Sequence, residues 1–395
     1  MSQVSLRAVS RLRLWLSPSH ISAGFVAVLV GYTSSAAIVF EAARAAGAGP
    51  AQIASWLWAL GLGMAATCIA LSWRYRAPVL TAWSTPGAAL LATALHGVPM
   101  AQAVGVFVFV SVLAALAGFS GWFERLMHRI PRALSAGMLA GVLLEFGLGV
   151  FHVLAQQRLL VGTMLLTLLL ARRLAPRYAV ALSFGSGVLV ATLAGHWRVP
   201  LLPWHLTRPV WVTPQFHWSS LLGIGLPLFI VSMASQNVPG LTMLRTHGYA
   251  TPASPLIGWT GITGVLLAPF GGFSYNLAAI TAAICMSPEA DPDPTQRWRA
   301  AVWAGLFYGF TGLLGASVAA LFAAFPHALV AAIAGLALLS TIGNSLAGAV
   351  ADETWRESAL VTFLVTASGL SLGGVGSAFW GLALGLLTAA LTRRG

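Results

Sequence analysis

The sequence predicts an all-α protein that crosses a membrane many times. Of its 395 residues, 58% are apolar and only 8% are charged, whereas a soluble domain carries about 25% charged residues. The mean hydropathy is +0.85. Apolar runs close to the roughly 20 residues that a bilayer-crossing helix needs follow one another along almost the whole chain. These observations exclude a soluble globular protein, a disordered chain and a nucleic-acid-binding protein.

Fourteen membrane spans are expected from these apolar runs. They cover residues 20–44, 51–73, 77–96, 99–121, 132–153, 158–171, 178–196, 219–244, 255–270, 274–286, 299–323, 326–350, 357–371 and 374–392. The spans 158–171, 274–286 and 357–371 are shorter than a full crossing. Short or interrupted spans are typical of transporters, in which helices break around a binding site near the middle of the membrane.

The basic residues predict how the bundle is oriented. All 21 are arginines, so the chain has no lysine for a P-loop. With the N-terminus inside, 17 of the 21 lie in cytoplasmic gaps, among them Arg132, Arg172 and Arg245. This bias follows the positive-inside rule. Both termini are therefore expected in the cytoplasm.

The two halves of the chain resemble each other. Ala77-Pro78 and Gly185-Ser186 recur 191 residues later as Ala268-Pro269 and Gly376-Ser377. Because each half has seven spans, an odd number, the second half must be inverted in the membrane, an arrangement typical of secondary transporters. The predicted organisation is a cytoplasmic segment 1–19, a first repeat 20–196, an external linker 197–218 and a second repeat 219–392.

Proline and glycine interrupt the third and tenth spans. In the third, an extended stretch leads to Ser84-Thr85-Pro86, which has the pattern of a helix N-cap and first turn. In the tenth, Gly271-Gly272 breaks the chain, and Asn276 or Ser274 is expected to cap a new half-helix. Two half-helices would then point their N-termini at the bilayer centre, where partial positive charge favours an anion. The alternative is an ordinary proline or glycine kink in each span.

Several segments resemble the benzoate/proton symporter family of the BenE type. The resemblance spans nearly the whole chain and is carried by Phe270–Cys285, Glu289–Pro294, Ala334–Leu339 and Gly376–Gly381. It implies a bacterial inner-membrane carrier that imports benzoate with protons. The family is related to the nucleobase permeases, whose seven-plus-seven inverted repeats form a core domain (spans 1–4 and 8–11) and a gate domain (spans 5–7 and 12–14). Where the family often has His-Ala-Ile, this chain has Phe273-Ser-Tyr, which leaves the exact aromatic acid open.

The expected substrate site lies between the two half-helices. Gln236 resembles the counterpart of a glutamate that binds the base in nucleobase permeases, and a site without a carboxylate suits a carboxylate substrate. Burying a carboxylate requires several hydrogen-bond donors. The expected donors are Ser84, Thr85, Gly87, Gln236, Asn237, Ser274, Tyr275 and Asn276, and Tyr32 and Phe273 are expected to cover the aromatic ring.

Glu145, near the middle of the fifth span, is the predicted proton-coupling residue. Acidic side chains at membrane depth are costly and usually functional, and this one is expected to face the core across the transport path. Two alternatives stay open: the proton travels on benzoic acid itself, or Glu145 has a structural role. Asp291 and Asp293 are expected to be solvated in a cytoplasmic loop.

The sequence predicts neither a cofactor nor a metal site, since no His-rich or His-Glu ligand spacing occurs. Expected partners are benzoate, protons and the lipid bilayer, and whether the carrier is a monomer or a homodimer is left open. One rival function is a passive anion channel or exchanger on the same fold. Another is an intramembrane serine protease, suggested by Gly118-Phe-Ser-Gly121, which lacks a partner motif for a general base.

Overall fold

The computed structural model describes residues 17–121, 131–195, 206–372 and 375–392. The N-terminal segment up to residue 16, part of the external linker (196–205) and several arginines used for orientation lie outside these ranges. In chain order the helices are α1 Pro18–Ala45, α2 Pro50–Tyr75, α3 Thr85–Ala94, α4 Met100–Phe119, α5 Arg132–Gln156, α6 Arg158–Leu174, α7 Ala179–Leu193, α8 Trp218–Arg245, α9 Ala253–Leu267, α10 Ile280–Met286, α11 Trp298–Leu313, α12 Gly315–Ala324, α13 His327–Val350, α14 Arg356–Ala367 and α15 Ser377–Thr392.

Within the described residues, seven helices are long and apolar enough to cross a membrane by themselves, and the bent pair α11–α12 makes an eighth. The pair bends by 69° between its two helices. Each of the remaining predicted spans contains a shorter helix, so all fourteen apolar runs have a helical element. The exact number of fourteen crossings stays a prediction.

The third and tenth spans are each a short strand followed by a half-helix, as predicted. Strand β1 is Thr81–Trp83 and strand β2 is Tyr275–Leu277. They pair antiparallel in the middle of the bundle, with Ala82 opposite Asn276. A two-stranded ribbon of this kind satisfies backbone groups that an interrupted helix would leave unpaired in a membrane.

The expectation that Asn276 or Ser274 caps the second half-helix is wrong. Asn276 lies inside β2, and α10 begins four residues later with Ala279 at its N-cap and no side-chain cap. The expected cap of the first half-helix is confirmed, because the Ser84 hydroxyl accepts a hydrogen bond of 2.9 Å from the Gly87 N–H.

Helix α8 is continuous but contains two π-helical turns, at Leu221–Gly225 and Met233–Asn237. Each turn ends two residues before a proline, Pro227 or Pro239. A proline has no backbone N–H and its ring clashes with the carbonyl group four residues earlier. The wider turn accommodates that loss without breaking the helix, and such turns are frequent at functional sites.

The helix pairs pack as two inverted repeats require. Helix α2 packs along α11, and α9 packs along α4, so the second span of each half contacts the fourth span of the other. Both crossings are glycine-to-glycine contacts. A Cβ on Gly61 would lie 2.5 Å from the Gly312 Cα, and a Cβ on Gly118 would lie 2.3 Å from the Gly258 nitrogen. Gly258 follows Gly61 by 197 positions and Gly312 follows Gly118 by 194, close to the offset of the sequence repeats.

The helices separate into two sets. In the first, α1 packs on α3 and α11, and the paired strands lie among the helices of this set. In the second, α5 packs on α13 and α14, α14 packs on α15, and α6 packs on α7. These sets contain the spans predicted for the core and the gate, and we use those two names for them below.

Candidate functional site

A cavity of about 1440 Å³ lies between the core and the gate. It is larger than the roughly 300–1,000 Å³ of ordinary small-molecule pockets. On the core side it is lined by the middle of α1, the start of α3, the second half of α8 and α10. On the gate side it is lined by the start of α5, the α6–α7 connection and the second half of α13. The cavity therefore runs from the paired strands to the end of the bundle at which α5 begins and α8 ends.

The second π-turn of α8 presents polar groups to the inner part of this cavity. Ser235 and Gln236 line it, whereas the next residue, Asn237, is fully buried on the opposite side. The Ser235 hydroxyl donates to the Val231 carbonyl oxygen. Among the described residues nothing forms a hydrogen bond with the Gln236 side chain, so its amide is available to a ligand.

Thr85, from the broken third span, is another polar residue in the cavity lining. It is the first residue of α3 and lines the cavity. Pro86 has no N–H, and the Gly87 N–H is already bound by Ser84. The Ala88 N–H donates to the Ser84 carbonyl oxygen. The donors left at this helix N-terminus are therefore the backbone N–H and the hydroxyl of Thr85, fewer than a bare helix end offers.

Aromatic side chains form one wall of the cavity. The Trp83 indole N–H donates to the Ser35 hydroxyl at 2.9 Å, and both residues line the cavity. The Tyr32 ring meets the Trp83 ring edge-to-face at 4.9 Å between centroids, so Tyr32 supports this wall from behind. Tyr308 also lines the cavity. Trp83 and Tyr308 are only 3% and 1% exposed, so an aromatic substrate would contact a small part of this wall.

Behind the cavity, a buried amide cluster joins α8 to β2. The Asn237 side-chain amide donates to the Asn276 Oδ1 at 2.9 Å, and the Asn237 Oδ1 accepts from the Leu277 N–H at 2.9 Å. The Asn276 Nδ2 in turn donates to the Ser274 hydroxyl at 2.8 Å. Asn237 and Asn276 are 0% and 1% exposed. These amide groups position α8 against the strands and are already occupied.

The structure therefore divides the ten predicted substrate residues into two groups. Thr85 and Gln236 line the cavity. The other eight lie outside its lining, where they cap, pack or bond within the core: Tyr32, Ser84, Gly87, Asn237, Phe273, Ser274, Tyr275 and Asn276. Phe273, for example, is fully buried against Trp56 and Phe107.

Glu145, which is expected from the sequence to face the core, does not line the cavity between the core and the gate. It lies near the middle of α5, and its side chain is exposed. Gly137 and Gly141, which precede Glu145 at four-residue spacing on α5, pack against α14. The Glu145 side chain therefore lies outside the cavity between the core and the gate.

Sequence reasoning missed the charge of the cavity mouth. Arg132 at the start of α5, Arg172 near the end of α6 and Arg245 at the end of α8 all line it. No acidic side chain lines the cavity in the described part of the chain. The position of these arginines at span ends was visible in the sequence, but it was used only to orient the bundle. Trp83 was also missed, although it directly precedes the predicted cap Ser84.

Asp291 is not simply solvated, although Asp293 is fully exposed. The buried His20 side chain lies 2.7 Å from the Asp291 carboxylate, and Arg297 donates to the Asp291 and Met286 carbonyl oxygens at 2.7 Å. These contacts join the starts of α1 and α11 to the end of α10. In the same loop, hydrogen bonds from Thr295 lower the pKa of the Asp293 carboxyl.

Comparison with known proteins identifies the family of this chain. Residues 15–391 match the BenE family, described as benzoate membrane transport protein. The chain belongs to the BenE family. It is 50% identical over 370 residues to the inner membrane protein YdcO of Escherichia coli, covering 94% of this chain and 95% of that protein. It is 39% identical over 371 residues to the benzoate membrane transport protein of Acinetobacter baylyi, covering 94% of each.

Solved structures share the fold of this BenE-family chain. A murine anion transporter, solute carrier 26 family member A9 in the inward-facing state, aligns with a TM-score of 0.64 at 13% identity, covering 95% of this chain and 68% of that one. The transmembrane domain of the cyanobacterial bicarbonate transporter BicA aligns with a TM-score of 0.57 at 14% identity, covering 94% and 95%. The predicted helical membrane fold with two inverted repeats is confirmed.

The protein is thus a multi-pass membrane transporter for a small molecule, and its family is one of transporters rather than enzymes. The serine that suggested a protease, Ser120, lies just beyond the end of α4 and donates to the Leu116 carbonyl oxygen. The residues of the cavity are accordingly considered below as a binding and transport site.

Proposed function

We propose that this protein imports benzoate or a similar aromatic carboxylate together with protons, by alternating access, across the inner membrane of a bacterium. The names of the family and of the Acinetobacter relative support the substrate, and the name of the Escherichia coli relative supports the membrane. The orientation with both termini in the cytoplasm rests on the distribution of arginines. The repeat boundaries at residues 196 and 219 belong to the same proposal.

The observation that carries the proposal is the charge of the cavity. Its lining contains three arginines and, in the described ranges, no aspartate or glutamate. Such a cavity attracts anions and repels cations. Its inner part adds an amide from Gln236 and a hydroxyl from Thr85 beside the Trp83 ring. This combination of donors and an aromatic wall suits a carboxylate attached to a ring.

In the proposed complex, the carboxylate binds the Gln236 amide and the N–H and hydroxyl of Thr85, and the ring packs against Trp83. The amide cluster around Asn237 and Asn276 keeps α8 and β2 in register behind the site. Transport then requires the core to move against the gate, so that the same site opens first to one side and then to the other. The open mouth beside the three arginines corresponds to one of these two states.

For coupling, we assign the proton to the substrate rather than to Glu145. No acidic side chain of the described residues lines the cavity, and Glu145 is exposed outside it. Benzoate would bind as the anion, take up one proton in the site so that it crosses as benzoic acid, and release that proton on the other side. The proton then travels on benzoic acid, which is one of the two alternatives that the sequence leaves open.

Uptake of labelled benzoate into proteoliposomes tests this function. With an imposed pH gradient, alkaline inside, and the membrane potential clamped, we expect accumulation that a protonophore abolishes. Protein-free liposomes are the control, because benzoic acid crosses lipid unaided. Accumulation that follows voltage alone would indicate a passive channel, and uptake that requires an internal anion would indicate an exchanger. Either outcome contradicts the proposal.

We further propose a homodimer that covers the outer face of α5. A charged residue facing lipid at mid-membrane costs about 2.5–3.5 kcal/mol on insertion scales, and Glu145 is exposed near the middle of that helix. A second copy would shield it. Cross-linking of a single cysteine placed at Leu148, one turn from Glu145 and also exposed, is expected in the membrane. Its absence, with cross-linking from the buried cysteines excluded by their substitution, would contradict the dimer.

A further inference from the structure

We propose that Arg132, Arg172 and Arg245 form a second anion-binding site at the mouth of the cavity, separate from the site at Gln236. It would take carboxylates and other small oxyanions, including the transported carboxylate on its way between the inner site and the aqueous phase. Only the passage of the transported carboxylate through this second site rests on the proposed function. Binding of an anion at the mouth can be tested without transport.

The three side chains come from different helices and line one cavity. Arg132 begins α5, Arg172 lies in the last turn of α6 and Arg245 lies in the last turn of α8. All three are exposed, so an ion from solution can reach them. Within the described residues, Arg132 and Arg172 form no ion pair. The guanidinium groups of Arg132 and Arg172 therefore have charge and donors to offer to an anion.

The mouth is far enough from the inner site to bind a separate ion. Arg245 follows Gln236 by nine residues on α8, a rise of roughly 14 Å along the helix. The two positions are thus about two and a half turns of α8 apart. An ion at the mouth therefore does not occupy the space beside Gln236.

The lining between the two sites is uncharged. Along α8, the residues that line the cavity between Gln236 and Arg245 are Val238, Pro239, Leu241 and Thr242. No acidic residue among those described lines this path, so none would repel a passing carboxylate. An anion that leaves Gln236 therefore meets positive charge at the mouth, where the arginines are the next groups that can bind it.

The test uses the trianion 1,3,5-benzenetricarboxylate, which carries more charge than the proposed substrate. Its binding to the purified full-length protein is measured by calorimetry at low and high salt. We expect the dissociation constant to rise about tenfold for Arg172→Gln, because a trianion loses three unit interactions with one charge. The effect should shrink at high salt. Arg172→Lys should bind nearly as the parent protein does.

Arg173→Gln is the matched control. Arg173 neighbours Arg172 on α6 and is also exposed, but it does not line the cavity. Its substitution removes the same net charge and should change the dissociation constant less than twofold. Equal effects of Arg172→Gln and Arg173→Gln, or no saturable binding to the parent protein, would overturn the second site. Should Arg172→Gln elute as an aggregate, Arg132→Gln is measured in its place with the same expected result.

Sided membrane vesicles connect this site to transport. We expect the tricarboxylate to inhibit benzoate transport only from the face that carries the three arginines, and Arg172→Gln to weaken that inhibition. Equal inhibition from both faces would overturn the assignment of the site to the mouth. Absence of protein-dependent benzoate uptake would instead contradict the proposed function, while the calorimetric result would still decide whether the anion site exists.

Discussion

Gln236 and Asn237 are neighbours on α8, and replacing each by alanine separates substrate binding from packing. Gln236 lines the cavity, and no described residue forms a hydrogen bond with its side chain. Asn237 is fully buried and bridges to the Leu277 N–H and the Asn276 amide oxygen. We expect Gln236→Ala to weaken benzoate binding in a stable protein, and Asn237→Ala to destabilise the protein.

The expected magnitudes follow from the hydrogen bonds that each change removes. Asn237→Ala leaves a buried N–H and a buried carbonyl oxygen unpaired, at about 1–3 kcal/mol each, or about 2–6 kcal/mol for both. Gln236→Ala removes one hydrogen bond to a charged carboxylate, worth about 1.5–3 kcal/mol. Because about 1.4 kcal/mol changes a dissociation constant tenfold, benzoate should bind about ten to a hundred times more weakly.

Both proteins are measured in detergent, with calorimetry for the dissociation constant of benzoate and tryptophan fluorescence for thermal unfolding. Unfolding of such proteins is commonly irreversible, so melting temperatures are compared at one heating rate. We expect a melting temperature several degrees lower for Asn237→Ala and close to the parent value for Gln236→Ala. A Gln236→Ala protein that melts as early as Asn237→Ala and binds benzoate unchanged would refute the assigned roles.

Three further changes test other parts of the structure. Glu145→Gln should keep pH-driven uptake of benzoate in proteoliposomes, because this side chain lies outside the cavity; loss of accumulation with binding preserved would return the coupling role to Glu145. Trp83→Phe removes the hydrogen bond to Ser35 and part of the aromatic wall, so calorimetry should show severalfold weaker benzoate binding, and an unchanged constant would contradict the pose. Gly240→Ala would place a Cβ 2.5 Å from the Leu277 Cβ; such overpacking costs about 1–3 kcal/mol and should lower the melting temperature, whereas an unaltered one would show that α8 can shift.

The breaks in the third and tenth spans could be predicted because their causes are local. Ser84 followed by Thr85 and Pro86 is a cap and first turn, and the structure has both. Gly271 has a φ of 100°, a backbone conformation that glycine adopts without strain. The prolines and glycines therefore predict where a helix ends without reference to the rest of the chain.

The partners of the broken segments could not be predicted, because they are distant in the sequence. Asn276 resembles a helix cap by its residue type, yet its amide bonds Asn237, which lies 39 residues earlier. Its strand pairs with β1 from the other repeat. Nothing local distinguishes an asparagine that caps a helix from one that bridges two elements in the core.

The sequence also does not show which face of each helix meets the cavity. Helices such as α5 are apolar all round, so no polar stripe indicates which side meets the cavity and which meets lipid. The sequence therefore predicts that Glu145 faces the core, yet it is exposed and does not line the cavity, whereas Arg132 on the same helix does. Only the packing of α5 on α13 and α14 fixes its rotation.

The position of a bound substrate tests the central claim most directly. A cryo-electron microscopy structure of the protein with 4-iodobenzoate would locate the ring through its iodine atom. We predict the carboxylate at about 2.7–3.2 Å from the Gln236 amide nitrogen and the Thr85 hydroxyl, with the ring against Trp83. Iodine density inside the core beside Phe273 and Tyr275, away from the cavity, would contradict the proposed site.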